Sequence, residues 1–204
     1  MRWNGLTVDG GFLILIAAAI FFDAGGLFCI AIVAALAHEL GHYLALRSRG
    51  CRIVGLRLGL TGFSMEYSGP LSYRGEIFAA AAGPAAGLAL AAAAAVAGGW
   101  LWLRALHELA AVSALLSVFN LLPARPLDGG KILYALVALR FGERAAARVL
   151  CVSSCAIILT ALTAGVGIAV RGGNGVTLLA AAAWPVAYFA AQLRRSAGAP
   201  ARPA

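Results

Sequence analysis

Six apolar runs follow one another along the chain, separated by short segments that hold most of its charged residues. They cover about residues 10–23, 27–46, 77–99, 101–120, 149–170 and 175–193. A helix of about 20 apolar residues crosses the hydrocarbon core of a bilayer, and most of these runs approach that length. Only 12% of the residues are charged, against about 25% in an average soluble domain. We therefore predict an all-α polytopic membrane protein with six transmembrane helices.

The first run, about residues 10–23, is the shortest of the six. Arg2 precedes it, as a basic residue precedes the apolar part of a signal peptide, but no small-residue cleavage site follows. Instead, Asp23-Ala24-Gly25-Gly26 has the composition of a tight turn that leads into the next run. We therefore interpret this run as a membrane span.

The basic residues predict an orientation for this multi-pass cell-membrane protein. If the amino terminus is cytoplasmic and six spans alternate, Arg104 and Arg171 alone among the 16 basic residues lie outside the cytoplasm. Membrane proteins carry such an excess of basic residues in their cytoplasmic loops. We expect both termini in the cytoplasm, a membrane-embedded core over 1–193 and a short cytoplasmic tail over 194–204. The same distribution argues against a nucleic-acid partner, despite the net charge of +8.

The second run contains His38-Glu39-Leu40-Gly41-His42 near its predicted cytoplasmic end. A charged group in the middle of a membrane helix costs about 2.5–3.5 kcal/mol on insertion scales, and a bound metal ion can offset that cost. His38 and His42 are four residues apart, so they share one face of a helix and can bind one ion. Glu39 lies beside them and is placed to hold a water molecule. This is the H-E-x-x-H pattern of zinc sites in which the glutamate is the general base.

Residues 50–75 do not form a span, because arginine and glycine residues interrupt their apolar positions. Ile53, Leu56, Leu58 and Leu60 alternate loosely with polar or small residues, which predicts a short β-hairpin at the inner membrane surface. An irregular amphipathic loop is the alternative interpretation. A hairpin would present an unpaired edge to which an extended peptide substrate can add as a further strand.

The third run is rich in alanine and glycine, which predicts a buried helix that packs closely against its neighbours. Gly83-Pro84 lies near its start. This pair either opens the helix backbone towards the active site or is a plain packing kink. The four cysteines, Cys29, Cys51, Cys151 and Cys155, form no C-x-x-C pair. We therefore expect neither a disulfide framework nor a cysteine zinc site.

The fourth run ends in a proline-rich break in which Asp128 is the acidic residue. Irregular backbone at membrane depth is tolerated where it lines a cavity, and two histidines with one carboxylate make an open catalytic zinc site. Taken alone, Asp128-Gly129 would be a turn or a helix cap. Beside the histidine pair, we predict that Asp128 is the third ligand. Asn120 can hold the substrate backbone or polarise its carbonyl group, and a helix-end cap is the alternative.

With these residues in place, the chain resembles the site-2 proteases, the intramembrane zinc metalloproteases of peptidase family M50. His38–His42 matches the first motif of the family, and Asn120–Gly129, with Pro123 and Pro126, matches the second. Ala82-Gly83-Pro84 resembles a segment found between the two. The resemblance implies that one zinc ion is bound by His38, His42 and Asp128, that Glu39 is the catalytic base, and that the substrate is bound by Asn120, Pro126, Gly83 and Pro84.

The resemblance implies peptide-bond hydrolysis in membrane-associated substrate proteins, with a membrane inhibitor or activator protein as a further partner. Six spans with a cytoplasmic active site are most similar to the sporulation-type branch, whose members process a sigma-factor precursor. No PDZ domain is inserted and no CBS domain follows the last run, so regulation through a CBS domain is not expected.

Two other function classes are alternatives to proteolysis. A divalent-metal transporter would use the same His38, His42 and Asp128 as a transit site, but transporters often carry polar residues in several spans. A non-catalytic membrane scaffold would not need Glu39. A second His-Glu pair, His107-Glu108, lacks the second histidine of the motif and is predicted to lie at the outer membrane interface.

Overall fold

The computed structural model describes residues 2–3, 6–8, 26–59 and 62–170. The predicted spans at about 10–23 and 175–193 and the predicted tail over 194–204 lie outside the described residues. The described chain divides into two compact units, with the boundary between Leu122 and Pro123.

Five helices are present in the described residues. They are α1 (Leu27–Ser48), α2 (Tyr73–Leu101), α3 (Arg104–Asn120), α4 (Asp128–Phe141) and α5 (Glu143–Val170). Of these, the segments Leu27–Ser48, Tyr73–Leu101 and Glu143–Ile168 are long and apolar enough to cross a membrane. The prediction of a mainly helical protein with membrane-length helices is confirmed, and three of the six predicted spans are found.

The predicted fourth span, about 101–120, forms α3, which has 17 residues. At 1.5 Å per residue such a helix is about 26 Å long, somewhat less than the roughly 30 Å of a bilayer core. Leu103, in an extended conformation, precedes the helix, and Trp102 before it adopts a left-handed conformation with φ 54°. These two residues form the turn between α2 and α3, so the apolar run about 101–120 includes a turn as well as a helix.

Helix α4 is not among the predicted helices. We expected Gly129-Gly130 to break the chain, but both residues lie in the first turn of this helix. A side chain at Gly130 would overlap the carbonyl oxygen of Ala124, so the glycine allows the preceding loop to fold back against the helix. Gly142, with φ 82°, then ends α4 and leads directly into α5.

Unit 1 contains α1, α2, α3 and a four-stranded sheet in the order β1-β2-β3-β4. The strands are β1 (Arg2–Trp3), β2 (Leu6–Val8), β3 (Arg52–Gly59) and β4 (Gly62–Ser68). Strands β3 and β4 form an antiparallel pair in which Arg52 faces Ser68, so the predicted hairpin is confirmed. Strand β2 runs parallel to β3. Strands β1 and β2 were not predicted, because segments of two and three residues carry no periodic signal. Strand β4 is last in the strand order, and substrate addition at its edge stays a prediction.

Small residues bring the helices of unit 1 into close contact. A side chain at Gly41 of α1 would overlap the carbonyl oxygen of Ala82 and lie 2.7 Å from the Cβ atom of Ala86, both in α2. A side chain at Gly87 of α2 would overlap Ser117 Oγ of α3. Such close approach of helix backbones is typical of helix packing in membranes.

A small core joins the end of α1 to the hairpin and to α2. Its buried members are Ala45, Leu46, Cys51 and Ala79, and Ile53, Leu71 and Ala82 pack against them. This cluster fixes the part of α2 that lies beside the histidines of α1.

We expect Gly41→Ala to lower the thermal stability of the purified protein in detergent micelles. The new methyl group has to push the α2 backbone away, and overpacking of this kind costs about 1–3 kcal/mol. The matched control is Gly99→Ala in α2, where nothing lies within 4 Å of the added atom. Equal melting temperatures for the two variants would contradict the close packing of α1 against α2.

Candidate metal centre

Helix α1 carries His38, Glu39 and His42. His38 is 4% exposed, and Glu39 and His42 are half-buried. Since the two histidines are one helical turn apart, they lie one above the other on the same face. Glu39 follows His38 directly, which turns it about 100° around the helix axis.

A hydrogen bond to helix α2 sets the protonation of His42. Its Nδ1 atom lies 2.7 Å from the carbonyl oxygen of Ala79. A carbonyl oxygen can only accept, so Nδ1 carries the hydrogen and donates it. In a neutral imidazole the other nitrogen, Nε2, then carries a lone pair. His42 is therefore prepared to bind a metal through Nε2.

The Nε2 atoms of the two histidines converge. They lie 3.2 Å apart, and the two rings are nearly perpendicular, with an interplanar angle of 77°. Two nitrogens bound to one tetrahedral zinc at 2.0–2.1 Å are about 3.3–3.4 Å apart. Metal-binding histidines also usually donate their second N–H to a carbonyl or carboxylate oxygen, as His42 does to Ala79. The histidine pair thus fits a zinc ion in spacing and in its outer hydrogen bond.

Asp128 belongs to unit 2 and is the first residue of α4. The side chain is buried, and its Oδ1 atom accepts a hydrogen bond of 2.8 Å from Lys131 Nζ, one turn further along the helix. The amino-terminal end of a helix also favours a negative charge. The contact with Lys131 gives the carboxylate a defined direction, as a metal ligand requires.

Two serines of α5 hold the loop that precedes Asp128. Ser153 Oγ donates to the carbonyl oxygen of Pro123 at 2.6 Å, and the backbone N–H of Arg125 donates to Ser154 Oγ at 3.1 Å. Ser154 is fully buried and itself donates to the Leu150 carbonyl at 2.7 Å. Neither serine was predicted, because a serine in an apolar helix carries no motif.

The remaining predicted site residues are distributed over both units. Gly83 and Pro84 are buried in α2, and Gly83 lies against the ring of His42. Asn120 is the last residue of α3, and its Nδ2 atom donates to the Leu116 carbonyl at 3.0 Å, a contact within its own helix. Pro126 is half-buried in the loop of unit 2. The structure therefore brings His38, His42 and Gly83 together in unit 1, while Pro126 and Asp128 belong to unit 2.

The second His-Glu pair has local partners. Glu108 Oε1 accepts a hydrogen bond of 2.7 Å from Arg104 Nε. His107 Nδ1 lies 3.3 Å from the carbonyl oxygen of Leu103. Both contacts span one helical turn at the start of α3, and the position of the pair at the outer membrane interface stays a prediction.

Comparisons with known proteins agree with the motifs. Residues 94–163 match the model of Peptidase family M50. Rip3 of Mycobacterium tuberculosis, a protein named as a zinc metalloprotease, is 36% identical over 117 residues, in each of two strains. The match covers 53% of this chain, and the chain spans only 30% of the length of Rip3.

The fold is similar to that of a solved structure, the site-2 protease from Methanocaldococcus jannaschii, with a TM-score of 0.70. The two proteins are 21% identical, and the match covers 100% of this chain and 97% of the other. This likeness concerns the fold. The match to the M50 model and the similarity to Rip3 confirm the resemblance that the motifs indicated.

We expect Ser154→Ala to loosen the loop before Asp128. The change leaves the Arg125 N–H without its acceptor, and loss of a buried hydrogen bond costs about 1–3 kcal/mol. Amide hydrogen exchange over residues 123–127 should therefore be faster, by roughly tenfold for 1.4 kcal/mol. The control is Thr160→Ala, since the Thr160 hydroxyl donates to the Ala156 carbonyl of its own helix. Unchanged exchange in the Ser154 variant would show that this contact does not hold the loop.

Proposed function

We propose that this chain, which resembles the M50 site-2 proteases, is an intramembrane zinc metalloprotease. Its substrates are membrane proteins or membrane-associated peptides, cleaved within or near the bilayer in regulated intramembrane proteolysis. The observation that carries the proposal is the pair of Nε2 atoms of His38 and His42, 3.2 Å apart on a membrane-length helix that also carries Glu39. The match to the M50 family and the name of Rip3 as a zinc metalloprotease support it.

Asp128 is proposed as the third ligand of one zinc ion per chain. A catalytic zinc site has three protein ligands and keeps its fourth position open for water or substrate, and two histidines with one carboxylate is one of the sets in use. The buried carboxylate of Asp128 and its place in the second motif support this assignment. The Lys131 ammonium group, 2.8 Å from Oδ1, fixes the direction of this carboxylate.

Glu39 is proposed as the general base. When bound, zinc supplies Lewis-acid polarisation and makes a water molecule more acidic. Glu39 takes a proton from the attacking water as the new C–O bond forms at the peptide carbonyl carbon. As the C–N bond breaks, Glu39 returns that proton to the leaving nitrogen, so that a carboxylic acid and an amine result.

Substrate contacts are proposed for Asn120 and for two prolines. Asn120 donates one amide hydrogen to the Leu116 carbonyl, and its oxygen is assigned to a substrate backbone N–H. Pro126 and Pro84 are proposed to line the path of the substrate. The substrate reaches the site unwound, because the carbonyl groups of a helical peptide are occupied in hydrogen bonds.

The proposal also includes the orientation in the membrane, the substrate and a regulatory partner. The distribution of basic residues supports cytoplasmic termini and an active site near the cytoplasmic side of a multi-pass protein. A sigma-factor precursor is the substrate that resemblance to the sporulation-type branch suggests. A membrane inhibitor or activator protein is the partner proposed to control access to the site.

Glu39→Gln should abolish cleavage of a co-expressed membrane substrate and leave the zinc content unchanged. The glutamine cannot take a proton, and loss of general base catalysis lowers rates by about 10²–10⁴-fold. Cleavage is measured by immunoblotting of the substrate, and zinc by metal analysis of the purified protein. The matched control is Glu108→Gln in the second His-Glu pair, which should cleave like the wild type.

Full activity of the Glu39 variant would remove the proposed mechanism. Reconstituted liposomes provide a second control, because proteolysis needs no metal transport. Zinc flux into liposomes without any cleavage of substrate would favour the divalent-metal transporter instead.

Asp128→Asn should lower the affinity for zinc, because an amide is a much poorer metal ligand than a carboxylate. We expect a loss of more than about tenfold, as even changes outside the ligand shell cost 10–100-fold. The measurement is competition with a zinc chelator of known affinity. Glu143→Gln, which changes an acid at the start of α5, is the matched control. Zinc affinity equal to that of the wild type would show that Asp128 is not a ligand.

A further inference from the structure

The imidazole of His42 lies along one turn of the α2 backbone. At one end of this turn, the Ala79 carbonyl accepts the Nδ1 hydrogen at 2.7 Å. At the other end, four residues later, Gly83 lies next to Nε2, Cε1 and Cδ2 of the same ring. Residues i and i+4 share one face of a helix, so the acceptor and the glycine contact the ring from the same side.

A side chain at residue 83 has no room beside this ring. A Cβ atom there would overlap Nε2 and Cε1 of His42 and would come within 2.7 Å of Cδ2. The three nearest atoms all belong to the imidazole. The ring can only make room by turning or shifting, and either movement displaces Nε2 or breaks the hydrogen bond to Ala79.

We infer that Gly83 is a positioning residue for His42, and that the absence of a side chain at this place sets the direction of the Nε2 lone pair. The resemblance to the site-2 proteases implied a substrate contact for Gly83, and the geometry points to the metal ligand instead. The inference deepens the proposed function and rests on it for the metal, while the contact between Gly83 and the ring stands by itself.

Pro84 offers a competing explanation for the glycine. A residue before proline is disfavoured in a helix partly because its own Cβ clashes with the proline ring. Glycine has no Cβ, so it also avoids this clash before Pro84. This explanation and the positioning role make different predictions. If Pro84 causes the loss of stability in Gly83→Ala, that loss persists when the His42 ring is removed. If the ring causes it, the loss disappears.

Gly83→Ala should reduce zinc affinity by about 10–100-fold, the range measured when the surroundings of a metal ligand are disturbed. Competition with a zinc chelator measures this. The matched control is Gly87→Ala, one turn further along α2, where the added methyl group meets Ser117 Oγ and not the ring. Its zinc affinity should stay close to that of the wild type. Wild-type affinity in the Gly83 variant would overturn the inference.

A double-mutant cycle tests the contact without any metal or protease activity. The melting temperature of metal-stripped protein is compared for the wild type, Gly83→Ala, His42→Ala and the double variant. We expect Gly83→Ala to lower the melting temperature by several degrees in the wild type and to have little effect beside His42→Ala. An equal drop in both backgrounds would assign the glycine to Pro84 and overturn the positioning role.

The cycle also tests the positioning role of Gly83 if the Gly83→Ala variant does not fold. Folding of the double variant would then support the inference, because removal of the ring relieves the clash. If the double variant also fails while His42→Ala folds, the cost does not come from the ring and the inference is wrong. If the proposed protease function fails, the cycle stays intact, while the wild type cleaves no substrate or the Glu39→Gln variant gives as much cleavage as the wild type.

Discussion

The hydrogen bond from His42 Nδ1 to the Ala79 carbonyl is the interaction on which the candidate site depends. It assigns the hydrogen to Nδ1, and so gives Nε2 the lone pair that a zinc ligand needs. It also joins α1 to α2, where lipid supplies no hydrophobic force between helices and close backbone packing and hydrogen bonds matter more. Gly41 and Gly83 allow that approach, because side chains at either place would overlap the other helix. In this part of the protein, the same contacts therefore pack α1 against α2 and orient the candidate metal ligand.

The second unit orders its candidate ligand by different means. Asp128 begins α4, its charge is paired with Lys131, and the loop before it is bonded to Ser153 and Ser154 of α5. Here an irregular segment is held by side-chain hydroxyl groups, whereas in unit 1 a helix backbone holds a side chain. Both arrangements satisfy polar groups that would be costly in an apolar surrounding. In each unit, these contacts lie within that unit and order its own candidate ligands.

The amino-acid sequence by itself determined the features that depend on local spacing. The histidines share a face because four residues make about one helical turn, and this follows wherever α1 lies. The helices α1, α2 and α5 follow from long apolar runs, and the β3–β4 hairpin from loose alternation broken by glycine. Asp128 of the second motif and the proline-rich break around it could also be identified from the sequence. All of these are properties of segments shorter than about thirty residues.

Only the tertiary structure decided what lies next to those segments. The acceptor for His42 is 37 residues away in the chain, and the serine that binds Arg125 is 29 residues away. Neither Ala79 nor Ser154 could be identified from the sequence. Every residue has a backbone carbonyl, and single serines are common in apolar helices. The role of Gly83 likewise depends on which ring lies against it. Spacing along a chain determines which residues share a face, but the partner across the interface is determined by packing.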